Sequence, residues 1–148
     1  MKRRYMDEPR SRVIGLMSGT SVDSIDAALC DLWEEDGRIR TILLGFHEHP
    51  MPIGLRERIF RVFEDGVGSL SLTCSLNFEI GNAFADAALA LIEKTGIPRE
   101  SVTAIASHGQ TAYHIAPHMV QGRNESGNVA STLQIGEPSI IAQRTGLP

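Results

Sequence analysis

The sequence has little cysteine, few aromatic residues and little net charge, and each shortage excludes a class of protein. Two isolated cysteines give no disulfide framework, and 5% aromatic residues leave few side chains to stack on nucleic-acid bases. A formal net charge of −4 provides no positive field for a nucleic-acid backbone or an anionic membrane. The sequence contains no run of about 18 apolar residues, the length that a helix needs to span a bilayer. We therefore expect a cytoplasmic protein that binds neither nucleic acid nor membrane and whose partner is a small molecule.

The sequence does contain the composition of a folded α/β domain, with 42% hydrophobic and 22% charged residues. Its 148 residues suffice for one domain with a core and are too few for two domains of ordinary size. Residues 1–12 carry arginines interrupted by acidic residues, without the apolar stretch of a signal peptide, so we predict a flexible leader. Residues 13–148 form the predicted domain, which stops directly after a helix signal and is expected to be truncated.

Hydrophobic patterning predicts an antiparallel meander at the start of this domain. Short apolar runs at 13–17, 25–33 and 39–46 predict three strands, and Asp36-Gly37 is typical of a hairpin turn. Helical spacing then begins after Pro52 and after Ser71. The later elements are a buried strand over 102–106, an exposed loop over 117–130, a short strand over 131–135 and a helix over 138–145.

A candidate phosphate loop follows the first predicted strand. Glycine lets a backbone approach a phosphate closely, and the hydroxyls and N–H groups that follow can donate hydrogen bonds to it. A carboxylate at Asp23 is our first choice for a Mg²⁺ ligand, because Mg²⁺ takes few protein ligands and keeps its waters. Spacing alone leaves an ordinary polar turn as the alternative. The candidate nucleotide-binding residues are Gly19, Thr20, Ser21, Val22, Asp23, Ser24, Ile25 and Asp26.

A second group of polar residues follows the strand predicted over 102–106. His108, Gln110 and Thr111 offer imidazole, amide and hydroxyl groups suited to sugar hydroxyls, although His108 can equally bond the backbone at a tight turn. A metal site formed by His108, His114 and His118 is disfavoured because their spacing fits no helix face. Arg144, near the end of the last predicted helix, suits either the helix dipole or a substrate carboxylate.

Three motifs occur in this order: Ile-Gly-Leu-Met-Ser-Gly-Thr-Ser-Val-Asp-Ser-Ile-Asp at 14–26, Ser-His-Gly-Gln-Thr at 107–111, and Thr-Leu-Gln-Ile-Gly-Glu-Pro at 132–138 with Ala-Gln-Arg-Thr-Gly at 142–146. Together they closely resemble the anhydro-N-acetylmuramic acid kinase family, from Val13 to the last residue. One departure is Ser24, where many members have glycine. That change affects the backbone's approach to a phosphate and adds a hydroxyl donor.

The resemblance implies a ribonuclease-H-like α/β domain of the sugar kinase, Hsp70 and actin superfamily, with a mixed sheet, an antiparallel meander and flanking helices. It implies that Gly19–Asp26 hold ATP with Mg²⁺. The implied reaction phosphorylates 1,6-anhydro-N-acetylmuramic acid while water opens the anhydro bridge, in a full-length homodimer. The family's base is an aspartate in an Asp-Phe-Arg motif beyond Pro148, so we expect no catalytic residue in this chain and no activity from it alone. The alternatives are an actin-like or Hsp70-like nucleotide-binding module and a non-catalytic truncated product.

Overall fold

A five-stranded mixed sheet forms the centre of the fold. We describe it from a computed structural model, which covers residues 10–63, 70–117 and 129–148. The elements, in chain order, are β1 Ser11–Ser18, β2 Ser24–Glu35, β3 Arg38–Pro50, α1 Ile53–Phe63, α2 Leu70–Thr95, a 3₁₀ turn Arg99–Ser101, β4 Ala104–Ile115, β5 Ser131–Ile135 and α3 Pro138–Thr145.

The predicted meander is confirmed, because β1 pairs with β2 and β2 pairs with β3 in antiparallel fashion. The β2–β3 hairpin turns at Asp36 and Gly37, whose φ angles of 53° and 72° are both positive. A type I′ turn needs this conformation at both central residues, and Asp-Gly adopts it readily. The local sequence therefore determines where the chain reverses.

The strand order is β3-β2-β1-β4-β5, with β4 parallel to β1 and β5 antiparallel to β4. A parallel pair cannot be joined by a hairpin, so the chain crosses over from β3 to β4 through α1 and α2. This arrangement confirms the mixed sheet with flanking helices that the sequence predicts. It also brings the end of β1 beside the middle of β4.

The hydrophobic core lies between one face of the sheet and the helices. Alternate residues of β1 and β2 point into it, and α2 contributes the stripe Leu76, Ile80, Phe84 and Leu91, all fully buried. Each such side chain contributes roughly 1.5–3 kcal/mol of burial free energy. On the opposite face, Met17, Leu43 and Phe46 are 49%, 59% and 45% exposed.

The structure corrects the predicted boundary between leader and domain. β1 begins at Ser11, and the Arg12 guanidinium binds both carboxylate oxygens of Asp31 on β2, at 2.8 and 3.1 Å. Arg12 also donates to Ser101 Oγ at 3.2 Å. Ser11 and Arg12 therefore belong to the folded sheet, while residues 1–9 of the predicted leader lie outside the described residues.

The structure also corrects the strand predicted over 102–106. β4 starts at Ala104 and continues to Ile115, so the polar segment 107–111 lies within a strand and not after it. The strand continues because β5 pairs with its second half, from Gln110 to Ile115. Most of the predicted loop 117–130 lies outside the described residues.

Candidate functional site

The candidate phosphate loop connects β1 to β2 at one edge of the sheet. It leaves β1 after Ser18, which pairs with Gln110 of the parallel strand β4. Since β1 and β4 run in the same direction, the loop and the polar segment 107–111 lie at the same edge. The fold thus brings together two motifs that are separated by about 90 residues in sequence.

Two hydrogen bonds hold the loop between β1 and β2 closed. Ser18 Oγ donates to the Ser24 carbonyl at 3.0 Å, and Val22 N–H donates to the Gly19 carbonyl at 3.2 Å. Val22 has a φ of 52°, which is unfavourable for a β-branched residue, and its side chain is fully buried. Strain of this kind costs on the order of 1–3 kcal/mol and persists only where the surroundings enforce it. Burial of the Val22 side chain in the core provides that constraint.

The side chain of Gln110 on β4 forms a hydrogen bond to the loop from the protein interior. Its side chain is fully buried, and Nε2 donates to the carbonyls of Gly19 and Thr111, each at 3.3 Å. Oε1 is buried without a hydrogen-bond partner among the described residues. Turning the amide over does not repair this, because the oxygen would then face two carbonyls. Gln110, which the sequence suggests as a sugar contact, therefore ties β4 to the phosphate loop.

Asp23 shapes the same loop at its exposed surface. Its Oδ1 accepts hydrogen bonds from Ser21 Oγ at 2.7 Å and from Ser24 N–H at 3.0 Å. The Ser21 hydrogen bond, with further backbone bonds and the positive charge of Arg56, holds the pKa of the Asp23 carboxyl below its ordinary value. The carboxylate is therefore ionised at neutral pH and has the charge that a Mg²⁺ ligand needs.

Arg56 is a charged neighbour that the sequence did not indicate. It lies on the first turns of α1 and donates from Nη2 to the Ser21 carbonyl at 3.3 Å. Its guanidinium also lies 5.0 Å from the centre of the Phe60 ring. The sequence does not indicate Arg56 because a single arginine on an amphipathic helix belongs to no recognisable motif. The packing of α1 brings its side chain to the loop.

The eight candidate nucleotide-binding residues differ in what they can present to a ligand. Val22 and Ile25 are fully buried, so only their backbone groups are available. Ser24 and Asp26 are half-buried, whereas Gly19, Thr20, Ser21 and Asp23 are exposed.

Gly19 is notable because the fold itself does not require glycine there. A Cβ at this position would meet only Ser21 Oγ, at 3.8 Å, and its φ is not in the left-handed region. The missing side chain leaves open space in front of the loop, which suits the close approach of a phosphate.

The second motif contributes an exposed histidine and a half-buried threonine. His108 Nδ1 lies 3.4 Å from the Gly109 carbonyl, a weak contact that leaves the ring accessible. Gly109 has a φ of 72°, and a Cβ there would come within 2.7 Å of the Ile135 carbonyl. Glycine is therefore required at 109, since it lets β5 approach β4 closely beside the loop.

Arg144 contacts α2 and not the candidate phosphate loop. Its Nη1 donates to the Asn82 carbonyl at 2.8 Å and its Nη2 to Asp86 Oδ1 at 2.6 Å, both on α2. This ion pair fastens α3 to α2. Asn82 and Asp86 also line an open groove of about 480 Å³ between α1 and α2, together with Pro52, Gly54, Leu55, Arg58, Glu79 and Ala83.

Metal and membrane features can be assessed within the described part of the chain. There, no group of three or more His, Cys, Asp or Glu side chains is arranged to hold a metal ion, and His118 lies outside it. A single carboxylate such as Asp23 remains compatible with Mg²⁺, which is held largely by water and phosphate oxygens. In the same residues, no helix has the length and apolar character needed to cross a membrane.

The mixed sheet, its antiparallel meander and the Gly-Thr-Ser loop after the first strand define a domain of the sugar kinase, Hsp70 and actin class. A family model described as anhydro-N-acetylmuramic acid kinase matches residues 11–148. The chain therefore belongs to the anhydro-N-acetylmuramic acid kinase family.

Curated relatives carry the same family name. The chain is 43% identical to the enzyme of Caldanaerobacter subterraneus subsp. tengcongensis over 98% of its own length and 36% of the relative's. It is 43% identical to the Streptomyces avermitilis enzyme, over 93% of the chain and 33% of the relative. For the Vibrio cholerae enzyme the identity is 38%, over 93% and 34%. The chain thus spans about a third of the length of the curated relatives it matches.

Proposed function

We propose that this chain supplies the ATP-phosphate site and part of the sugar site of a kinase. That kinase converts 1,6-anhydro-N-acetylmuramic acid to N-acetylmuramic acid 6-phosphate, with hydrolytic opening of the anhydro ring. The main observation in support is the loop Gly19–Asp23, in which Gly19, Thr20, Ser21 and Asp23 are exposed. Two hydrogen bonds hold this loop in place: Ser18 Oγ donates to the Ser24 carbonyl, and the buried Gln110 donates to the Gly19 carbonyl. Membership in the kinase family supports the same conclusion.

MgATP, when bound, supplies the phosphoryl group, and the residues of this chain would position it. Gly19, Thr20 and Ser21 offer donors to the phosphate oxygens, and Asp23 would hold Mg²⁺ directly or through water. Arg56 is a missed candidate that would add positive charge beside the phosphates, since its guanidinium already reaches the Ser21 carbonyl. Fixed donors of this kind stabilise charge that develops during transfer without having to reorganise.

The sugar would lie at the same edge of the sheet, against the second motif. Two side chains of that motif are candidates for contacts to the sugar, the exposed His108 ring and the half-buried Thr111 hydroxyl. Arg144 is a separate candidate for a substrate carboxylate, and its guanidinium is paired with Asp86 on α2. The water that opens the ring needs a base. We assign that role to the aspartate that the family carries beyond the position of Pro148, so the 148 residues alone are not expected to turn over.

The direct test incubates the chain with ATP, Mg²⁺ and anhydro-N-acetylmuramic acid and follows ADP and sugar phosphate. The comparison is the same chain mixed with a polypeptide matching the remaining two thirds of the Caldanaerobacter relative. We expect product only from the mixture. Turnover by the chain alone would contradict the assignment of the base to a residue outside it.

A second test addresses the role of Asp23. Asp23→Asn should weaken Mg-dependent ATP binding by about tenfold or more, because Mg²⁺ loses a charged ligand. Asp36→Asn is the matched control: it removes the same charge at the exposed β2–β3 hairpin, where asparagine tolerates the positive φ of 53°. Equal binding losses in both variants, or a loss in Asp23→Asn that is independent of Mg²⁺, would assign Asp23 a purely structural role.

A further inference from the structure

Two histidines lie side by side near the end of the edge strand β3. His47 and His49 are separated by one residue, so their side chains lie on the same face of the strand. They pair across the sheet with Ala27 and Ile25 of β2, which are both fully buried. Residues directly opposite each other in an antiparallel pair share a face, so the histidines lie on the face that the helices cover. Both are half-buried there.

The imidazole rings of His47 and His49 contact each other edge to face. Their centres are 5.7 Å apart, with an angle of 67° between the ring planes. Within the described ranges, neither ring forms a hydrogen bond or an ion pair with another residue. Each imidazole has two nitrogen atoms that can donate or accept, and the ring contact uses none of them. The nitrogens of both rings are therefore available to a ligand.

The spacing of the two rings matches what a single metal ion requires. Imidazole nitrogens lie about 2.0–2.1 Å from a bound zinc ion, so two imidazoles on one tetrahedral ion have their centres about 5 Å apart. A small rotation about the side-chain bonds therefore brings His47 and His49 to the same ion. Because both ligands lie on one strand of the sheet, binding requires no loop to become ordered.

We propose that His47 and His49 form a two-imidazole site for a divalent transition-metal ion such as Zn²⁺ or Cu²⁺. Imidazole suits these ions, whereas Mg²⁺ prefers oxygen ligands. The site is therefore chemically distinct from a Mg²⁺ site at Asp23. It goes beyond the proposed function and does not depend on the kinase reaction.

The surroundings of the pair make this an exchangeable site and not a structural one. Glu48 is exposed on the opposite face of β3, so it cannot supply a third ligand, and solvent completes the coordination. Lys94 Nζ donates to the Phe46 carbonyl at 3.1 Å and brings a positive charge that opposes the cation. That charge is exposed and is screened by salt. Structural zinc sites, by contrast, take four protein ligands.

The test titrates ¹⁵N-labelled chain with Zn²⁺ and follows the amide shifts. We expect the shifts to centre on residues 47–49 and on their cross-strand partners Ala27 and Ile25, with one ion bound at this site. In calorimetry, Cu²⁺ should bind this site more tightly than Zn²⁺, as the usual order of divalent metals requires. An excess of Mg²⁺ of about tenfold over Zn²⁺ should leave the shifts at 47–49 unchanged.

Variants distinguish one shared ion from two separate histidines. His47→Gln and His49→Gln should each weaken Zn²⁺ binding at this site by about tenfold or more, because the ion loses one of its two protein ligands. The double variant Glu48→His with His49→Gln keeps the number of histidines but places them on opposite faces of β3, and it should bind as weakly as the single variants. His114→Gln, which changes an exposed histidine on β4, is the matched control and should bind like the wild type.

The wild-type titration is decisive even if a variant fails to fold, which urea unfolding would reveal. An absence of Zn²⁺ shifts at 47–49 in the wild-type chain, or shifts centred only on His108 or His114, would overturn the proposal. Unchanged affinity in the folded single variants or in the double variant would overturn it as well, because the two rings would then not share an ion. No nucleotide or sugar enters this experiment, so its failure would leave the kinase function untouched.

Discussion

Replacing Gly19 with alanine distinguishes a phosphate site from an ordinary turn in the loop between β1 and β2. The protein has room for the methyl group, because the nearest atom to a Cβ is Ser21 Oγ at 3.8 Å. Glycine-to-alanine changes at a compatible backbone position alter stability by about 1 kcal/mol or less, usually favourably, since they restrict the unfolded chain. If the site were only a turn, Gly19→Ala would therefore have no further consequence.

A phosphate bound against the loop would experience the substitution differently. The methyl group would occupy the space through which the phosphate approaches, and the ligand would lose at least one hydrogen bond to a charged group. Such a bond is worth about 1.5–3 kcal/mol, which corresponds to roughly 10- to 150-fold in affinity. We therefore expect unchanged or slightly raised stability together with much weaker binding of MgATP.

The assay titrates ¹⁵N-labelled chain with MgATP and follows the amide shifts of residues 19–23, while urea unfolding reports stability. Gly109→Ala serves as the contrasting control, because its Cβ would lie 2.7 Å from the Ile135 carbonyl at a φ of +72°. That variant should lose about 2–5 kcal/mol through left-handed strain and overpacking. Undiminished MgATP affinity in Gly19→Ala, or wild-type chain without MgATP shifts at 19–23, would refute the phosphate-site assignment.

Two further predictions concern the support of the loop and of the sheet. Gln110→Met should change the free energy of unfolding by only about 1 kcal/mol, because two long hydrogen bonds are lost while a buried unpaired oxygen is removed, yet amide exchange at Val22 should accelerate. A loss above about 3 kcal/mol with unchanged exchange would contradict the support role. Arg12→Met should lower the free energy of unfolding in urea by about 2–3 kcal/mol, between the values for exposed and buried ion pairs. The reason is that the Asp31 carboxylate, whose side chain is only 8% exposed, loses its ion-pair partner Arg12. The Arg12 hydrogen bonds lower the pKa of Asp31, so their stabilisation is present above pH of about 4–5 and is lost as pH falls through that depressed pKa. Asp31→Asn should flatten this part of the pH profile, and a profile that keeps its slope would exclude Asp31 as its source.

Much of the fold could be predicted because its signals are local. The β2–β3 hairpin depends on two residues that accept positive φ. The helix α2 depends on apolar residues at helical spacing, which the structure buries. The same is true of α3, which begins at Pro138 and ends before Gly146. In each case neighbouring residues carry the whole preference, so no knowledge of the rest of the chain is needed.

The candidate site could be predicted only in part. Gly19 and the residues after it are recognisable as a loop, and three motifs in a fixed order are enough to indicate the family. Arg56 was missed because an arginine on an amphipathic helix has no distinguishing pattern. Gln110 was predicted to contact the sugar, and that role stays a prediction; its burial beneath Gly19 depends on the pairing of β1 with β4, which sequence spacing does not reveal.

By itself, then, the sequence determined the element types, the hairpin, the phosphate-loop candidate and the family, since these depend on residue types at short spacing or on ordered motifs. Only the tertiary structure decided that Arg12 belongs to the sheet, that β4 runs through the polar segment to Ile115, and that Gln110 lies buried beneath Gly19. These features depend on partners far along the chain: Asp31 for Arg12, and β5 for the second half of β4. Contacts over such separations are created by the packing of the whole domain, and a local pattern of residues cannot encode them.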